Sequence, residues 1–505
     1  MVAAGHRESA RAGAAILARG GNAVDAVCAA ACAAAVAESP LTGPGAGGFL
    51  LARSPQGVAT LLDFFVAVPG LGPDGRRLDP ADLVAFTVPF GDADQVFHIG
   101  AASVAVPGMV HGLVTAVDRL GSMPLAEIVA PAVALAVDGV VVTPEIAYLY
   151  EILTTMLTHT AEAAAIFAPG GRMLRAGDRF RIPDLAETFD EIARAGISTV
   201  RDGPLAQAMI EHLGRTGGLV SSADTAAYEV IDRTPLHIAH GDVTLWTNPP
   251  PSSGGVLIAA ALAAIGGADV SDDIGYYRQI ARAATAANVL RDAEFAAELH
   301  ASEALSRLLA RATRKPTGTT HVSVIDAHGG MASLSSSCGS GGGVVVPGTG
   351  ILLNNMLGED DLNPGGFGQL PPGRRMSSMM APTMITRDGA PVVALGSAGS
   401  NRLRSAIVQT VVSVVDAGWD LRAAINRPRV HVEGGVLDVE GGITDEVVAA
   451  LAADDHTTHR WGDRNLFFGG VAAVGVGPHG LTGAGDPRRG GAAAGVTSSG
   501  EVIDL

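Results

Sequence analysis

The sequence predicts an α+β fold, a layered sandwich in which antiparallel strands are flanked by helices. Three observations predict it. The first half reads as helical segments joined by short turns, two of them at the very start. A polar stretch from about 303 to 318 then ends that character, and apolar residues begin to alternate at period two. Farther on, an apolar run at 392–395 passes through a glycine–serine loop into a helical pattern from about 402 to 417. The 505 residues suffice for two or three domains or one large assembly. With 48% apolar and 17% charged residues, the chain can bury a large core. Gly and Pro (66 and 28 residues) stay below the level that marks disorder, so they predict many tight turns.

Taken in order, Ser9 to Arg19 keeps apolar residues at helical spacing and stops at Gly20-Gly21. Asn22 can cap the next helix, with Asp25 at the favourable end of its dipole. That helix, about Ala23 to Ala37, is apolar nearly all round and should be buried. The loop Gly43-Pro44-Gly45-Ala46-Gly47-Gly48 leads into Phe49-Leu50-Leu51-Ala52, which suits a buried strand. Because this loop precedes a strand rather than opening a helix, it is weak evidence for a nucleotide site. Pro249-Pro250-Pro251-Ser252-Ser253-Gly254-Gly255 breaks the chain sharply before a helix near Val256 to Ile265. After the polar stretch, His321-Val322-Ser323-Val324-Ile325-Asp326 alternates as a half-buried strand would, and Met331 to Ser337 returns as its partner.

Composition excludes several classes of function. The formal net charge is −17 and no long basic run occurs, so nucleic acid is not an expected partner. The longest uncharged apolar stretch, Ala26 to Ala37, is about half of what a bilayer requires, and no signal-peptide pattern opens the chain. A cytoplasmic protein without membrane association is expected. The three cysteines form no disulfide or zinc pattern; Cys28 and Cys32, four apart on an alanine-rich helical segment, read as small buried hydrophobes, and Cys338 stands alone. No metal and no cofactor is expected. Lys315, the only lysine, lies in the polar stretch, which argues against lysine-based covalent chemistry.

The junction Gly318-Thr319-Thr320-His321 carries the chemistry. Gly318 permits the strained backbone that a scissile bond needs. The Thr319 hydroxyl could attack the preceding carbonyl, and cleavage would free its α-amino group. With an ordinary pKa of about 7.7–8.0, that amine can serve as base for its own hydroxyl. The alternative is that Thr-Thr-His simply begins a strand.

The surroundings decide between them. The run from Gly318 to Asp326, then Val346-Pro347-Gly348-Thr349-Gly350-Ile351-Leu352-Leu353-Asn354-Asn355 and Met376-Ser377-Ser378-Met379-Met380-Ala381-Pro382-Thr383, resemble the small subunit of γ-glutamyltranspeptidases. Gly20-Gly21-Asn22-Ala23-Val24-Asp25-Ala26, Val104-Ala105-Val106-Pro107-Gly108, Pro250 to Gly255 and Asp486-Pro487-Arg488-Arg489 resemble the rest of that family, in its order. The resemblance implies an N-terminal-nucleophile hydrolase with a four-layer αββα sandwich, cut from one precursor into a large subunit, 1–318, and a small subunit, 319–505. The two would stay together as a heterodimer. It also implies autocleavage between Gly318 and Thr319, with Thr319 as nucleophile and Ser337 bonding its amine. Gly399 and Ser400 match the paired residues whose N–H groups form the oxyanion hole, as a strand-to-helix turn would. Ser377 and Ser378 match a serine pair that binds the substrate α-carboxylate.

Two departures bear on substrate. Phe65 stands where glutamyl-specific members carry the arginine that clamps the α-carboxylate. Met356 takes one of the places that hold the α-amino group, leaving Glu359 or Asp360 for the other. The expected substrate is therefore a small-molecule amide, γ-glutamyl or a related amino-acid-derived acyl group, with transfer to water or an amine. Glutathione itself is a doubtful candidate. A carbon–carbon hydrolase of bacterial antibiotic (4-alkyl-proline) biosynthesis is the alternative on the same fold, and a non-catalytic scaffold is the alternative of another class.

Overall fold

The structure, a computed structural model, describes residues 1–89, 94–266, 270–289, 319–363, 365–454 and 456–505. The expected linker at 303–318, Gly318 included, lies outside them. Among the described residues the fold is α+β and rests on two large antiparallel sheets.

The first, eight-stranded, runs Val502–Asp504, Ala492–Val496, Val2–Ala4, Thr320–Ile325, Met331–Ser337, Gly47–Arg53, Ala59–Phe64 and Ile231–Arg233. The second, six-stranded, runs Gly480–Gly485, Gly470–Gly477, Ala390–Ala398, Thr383–Arg387, Val243–Thr247 and Leu236–His240. Strands from before and after position 319 are interleaved in the first sheet and adjoin through Val243–Thr247 and Thr383–Arg387 in the second, so the two portions of the chain share one core. No helix among the described residues is long and apolar enough to cross a membrane.

The helices form where the sequence places their caps. Arg7–Ala18 ends before Gly20, whose φ of +91° suits a glycine. Asn22 Oδ1 then accepts from the N–H groups of Val24 and Asp25, at 2.8 and 3.0 Å, while Asp25 returns a bond to the Asn22 N–H. The helix Ala23–Ala37 so capped is buried at every position. It packs on the strands Thr320–Ile325 and Met331–Ser337, the middle of the first sheet. On their other side those strands pack against Ala390–Ala398 and Gly470–Gly477 of the second sheet, over an apolar layer that includes Phe49, Leu51, Met331, Met384 and Val474. Ser253–Ile265 and Arg402–Val411 pack together, and Arg402–Val411 lies on the strand Ala390–Ala398. The helix expected to continue to 417 passes instead into a π-helical turn at Val412–Asp416.

One expectation is corrected. The strand Thr320–Ile325 is buried at all six positions rather than on one face. Its alternation is real, but the polar face meets the second sheet instead of water. There His321 bonds Ser335 and Ser323 at 2.8 and 2.9 Å, Ser323 donates to Ala472 O, and Ser333 donates to Leu395 O. Polar groups can be buried because they are paired. Burial lowers the His321 pKa to about 3, so the ring is neutral at ordinary pH.

Candidate active site

Thr319 immediately precedes the strand Thr320–Ile325 and is 3% exposed. Antiparallel register sets Thr320 opposite Ser336, so one step outward Thr319 falls opposite Ser337. Ser337 ends its strand, and its Oγ accepts from the Gly339 N–H at 2.8 Å. The next side chain along, Thr320, donates its hydroxyl to Glu38 Oε2, while Ser9 donates to Glu38 Oε1 at 2.7 Å. Burial raises the Glu38 pKa, and the two hydroxyls with Arg489 partly offset that. Sequence reasoning missed Glu38. Its signal was a lone charged residue directly after a helix with an unbroken apolar C-terminal half.

Gly399 and Ser400 turn the chain from the strand Ala390–Ala398 into the helix Arg402–Val411. Both have left-handed backbones, φ +107° and +67°. At Gly399 a side chain is impossible without rearrangement, because a Cβ would lie 2.6 Å from Gly469 Cα. At Ser400 the serine bears the strain, and its hydroxyl is buried without a hydrogen-bond partner. Backbone strain at such a turn is a recurring mark of functional sites.

This turn opens on a cleft of about 430 Å³, mouth included. Its apolar wall comes from Leu41, Phe97, Leu149, Leu153 and Leu466, and its polar part from Gly339, Ser340, Arg402 and Arg489. A smaller cavity containing Glu38, Thr320, His321 and Ala398 adjoins it, with Leu41 and Arg489 common to both. Glu359 lies just behind the cleft. Its carboxylate approaches the Ser340 N–H at 3.4 Å and would crowd any side chain at Gly339. Burial pushes its pKa well above the carboxylate range, and Asp361 adds to the effect. Asp360, by contrast, is exposed.

The other predicted residues are placed elsewhere. Phe65 is 1% exposed and stacks on Phe49, ring centroids 5.6 Å apart, within the layer between the sheets. Its carbonyl accepts from the Tyr228 hydroxyl at 2.6 Å and from Arg375. Ser377 is half-buried and Ser378 buried; neither lines the cleft. The Ser378 hydroxyl accepts from the Met380 N–H, and its carbonyl accepts from Ser252 Oγ and the Ser253 N–H. The Pro-Pro-Ser-Ser-Gly-Gly segment thus clamps the serine pair. Gly254 allows it, since a Cβ there would be 2.0 Å from Met379 O. The Asp486-Pro487-Arg488-Arg489 turn is anchored by buried ion pairs, Arg429 to Asp486 at 2.6 Å and Arg488 to Glu440 at 2.5 Å. Among the described residues no cluster of three or more His, Cys, Asp or Glu side chains could hold a metal. The three cysteines are free and buried.

A family model described as gamma-glutamyltranspeptidase matches residues 9–310 and 276–496. The acylase ACY 1 proenzyme of Pseudomonas sp. (strain V22) is 32% identical, over 96% of this chain and 91% of the relative. The glutathione hydrolase proenzyme of Escherichia coli (strain K12) is 29% identical, over 97% of this chain and 90% of its own. Among solved structures, cephalosporin acylase from Bacillus halodurans superposes with a TM-score of 0.82 at 26% identity, covering 99% of this chain and 95% of the other.

Proposed function

Because the chain belongs to the gamma-glutamyltranspeptidase family, we propose that it is made as a precursor which cuts itself before Thr319 and then hydrolyses an amide through that threonine. The observation that carries this reading is the strand register opposing Thr319 to Ser337, whose Oγ accepts from the N–H of Gly339, a residue lining the cleft that also holds the strained Gly399-Ser400 turn. Segments 1–318 and 319–505 are then the two subunits of one heterodimer with a four-layer αββα core.

The steps follow from the groups at hand. The freed α-amine of Thr319, held by Ser337, takes the hydroxyl proton as Oγ bonds to the substrate carbonyl carbon. The N–H groups of Gly399 and Ser400 hold the resulting oxyanion. The C–N bond breaks, the leaving amine takes that proton from the α-ammonium, and an ester to Thr319 remains. Water then adds to the ester carbonyl, the α-amine takes its proton, and the Thr319 hydroxyl leaves with that proton as the acid is released. An amine in place of water gives transfer.

The acylase and glutathione hydrolase relatives support amide cleavage and do not favour carbon–carbon hydrolysis. An apolar Phe65 at the clamp position, and a serine pair (Ser377, Ser378) that lies outside the cleft, support an acyl group other than plain γ-glutamyl, with Glu359 behind the cleft left for a polar end. On a denaturing gel the native protein should give fragments 1–318 and 319–505, with Thr319 as a new N-terminus. Thr319→Ala should give one intact band and no turnover. Cleavage of that variant at the same bond would refute the assignment.

A further inference from the structure

The Gly399-Ser400 turn is backed by side chains that the reaction itself does not use. Its carbonyls are taken up by the helix it opens, Gly399 O by the Arg402 N–H at 3.1 Å and Ser400 O by the Leu403 N–H at 3.2 Å. The next residue, Asn401, is wholly buried, and its side chain does not cap that helix. Its Nδ2 donates instead to Glu433 Oε1 at 3.1 Å, at the end of the strand Val430–Glu433. Glu433 Oε2 accepts from His431 Nε2 at 2.9 Å, and His431 Nδ1 meets the Ser405 hydroxyl at 2.8 Å, back on the helix Arg402–Val411. Burial lowers the His431 pKa against the opposing pull of Glu433, so the ring is neutral at ordinary pH. A neutral ring that donates to Glu433 from Nε2 accepts at Nδ1, which makes Ser405 the donor there. One turn farther along the helix, Gln409 fixes the strand. Its Oε1 accepts from the Val430 N–H and its Nε2 donates to Val430 O, both at 3.0 Å. Strand and helix are locked together, and the bond from Asn401 to Glu433 ties the turn to that locked pair.

We propose that Glu433, oriented by His431 and Ser405, is a positioning residue for this turn: through Asn401 it sets the direction in which the Gly399 and Ser400 N–H groups point. The inference rests on the amide-hydrolase reading above and adds to it the side chains that keep its oxyanion donors aimed. The need for them is physical. Both turn residues have left-handed backbones, and one of them is a serine, so the turn stores strain that its surroundings must hold. Donors stabilise an oxyanion only when they are already aimed, because turning them during the reaction costs the energy they would supply. A carboxyl that accepts on one oxygen from the turn and on the other from a buried ring is fixed in two directions, which a single contact could not do. Glu433, His431 and Ser405 do not line the cleft, so what each does for the reaction passes through Asn401 and not through contact with substrate.

The test measures hydrolysis of p-nitrophenyl acetate by processed enzyme, with rates divided by the amount of Thr319 N-terminus. Glu433→Ala should lower kcat by about 10-fold to 100-fold with KM within about twofold of wild type. It should weaken by the same factor the binding of butylboronic acid, whose tetrahedral adduct sets an oxygen on the turn. Glu433→Gln keeps an acceptor for Asn401 and turns an amide NH2 toward His431 Nε2, so it should return to within about threefold of wild type. Asn401→Ala should match Glu433→Ala, and gives the same readout where that variant does not fold. The double variant should be no worse than either single one, because both break one chain of bonds. A kcat within about twofold of wild type in Asn401→Ala and Glu433→Ala, losses that multiply in the double variant, or boronate affinity that stays while kcat falls would each overturn the proposal. Hydrogen–deuterium exchange of the peptide spanning 396–404 separates this from failure of the reading beneath it. Should wild type leave the ester uncut and butylboronic acid unbound, the hydrolase reading fails. Faster exchange in Glu433→Ala and Asn401→Ala, restored in Glu433→Gln, would still uphold the hold on the turn, and unchanged exchange would reject it.

Discussion

At the scale of single residues, the strained turn separates backbone function from side-chain function. Gly399 has no room for a Cβ and a φ that other residues avoid, so Gly399→Ala must displace either itself or Gly469. The expected result is a kcat lower by about 10²-fold, from a misaimed N–H, together with a loss of roughly 1–3 kcal/mol in stability. Ser400→Gly should do the opposite. It keeps the N–H, removes a hydroxyl that has no partner, and relieves the left-handed strain. Activity within about threefold of wild type and a gain of a few tenths to about 1 kcal/mol are expected. Parallel kinetics and urea melts on the two variants check both. A large kcat loss in Ser400→Gly would mean that its hydroxyl, not its N–H, serves the reaction. The pair Gly399 and Ser400 could be found in the sequence because a Gly–Ser loop between a strand and a helix has a local signature. Glu38 could not, since what distinguishes it is the identity of a partner hundreds of residues away.

At the scale of elements, local chemistry carried the reading far. The Asn22 cap, the buried helix Ala23–Ala37 and the paired strands around 320 and 331 all follow from spacing within a dozen residues. Two features did not. The alternation of Thr320–Ile325 was legible, yet its polar face lies on a second sheet that sequence periodicity cannot see. The cleft wall draws Leu41, Phe97, Leu149, Leu153 and Leu466 from segments with no mutual register. The cap offers a graded test of how firmly the helix is held. Asn22→Ala removes one acceptor and should lose about 1 kcal/mol. Asp25→Ala removes more, because its carboxylate takes bonds from the N–H groups of Asn22, Ser122 and Met123 and from the Ser122 hydroxyl. Those donors are partly open to water, but Asp25 itself is fully buried and ties two segments together, so a loss on the order of 2 kcal/mol follows. Denaturant midpoints at constant m-value measure both. Comparable losses in the two variants would show that Asp25 acts only as part of the cap. Because Glu38 closes this helix and holds Thr320, loosening it should also slow self-cleavage.

At the scale of the whole molecule, the question is what ties the last segment of the chain to the site. The turn after Asp486 sets Arg489 between the two cavities, and it is fixed by Arg429, Arg488 and Glu440, which are almost wholly buried. Burial disfavours a charged Asp486, but Arg429 and Arg488 outweigh it and hold the pKa at about 2, below the 3.8 of a free aspartate. A depressed acid contributes stability that is complete above its unfolded pKa and disappears as pH falls through the folded one. The window is therefore about pH 4 down to pH 2, and the contribution is on the order of 2 kcal/mol. Removing one partner is harsher at every pH, because Arg488→Met leaves Glu440 buried and uncompensated; a loss of roughly 3–5 kcal/mol is expected at pH 7. Asp486→Asn should lose stability at pH 7 as well, and its deficit relative to wild type should shrink as pH is lowered from 4 toward 2, where the wild-type carboxylate is itself protonated. Thermal melts of wild type and Asp486→Asn across that range measure it. A deficit that stays constant with pH would mean that the carboxylate charge does not hold the turn, and that the bonds from the Val471 and Arg488 N–H groups to Asp486 suffice.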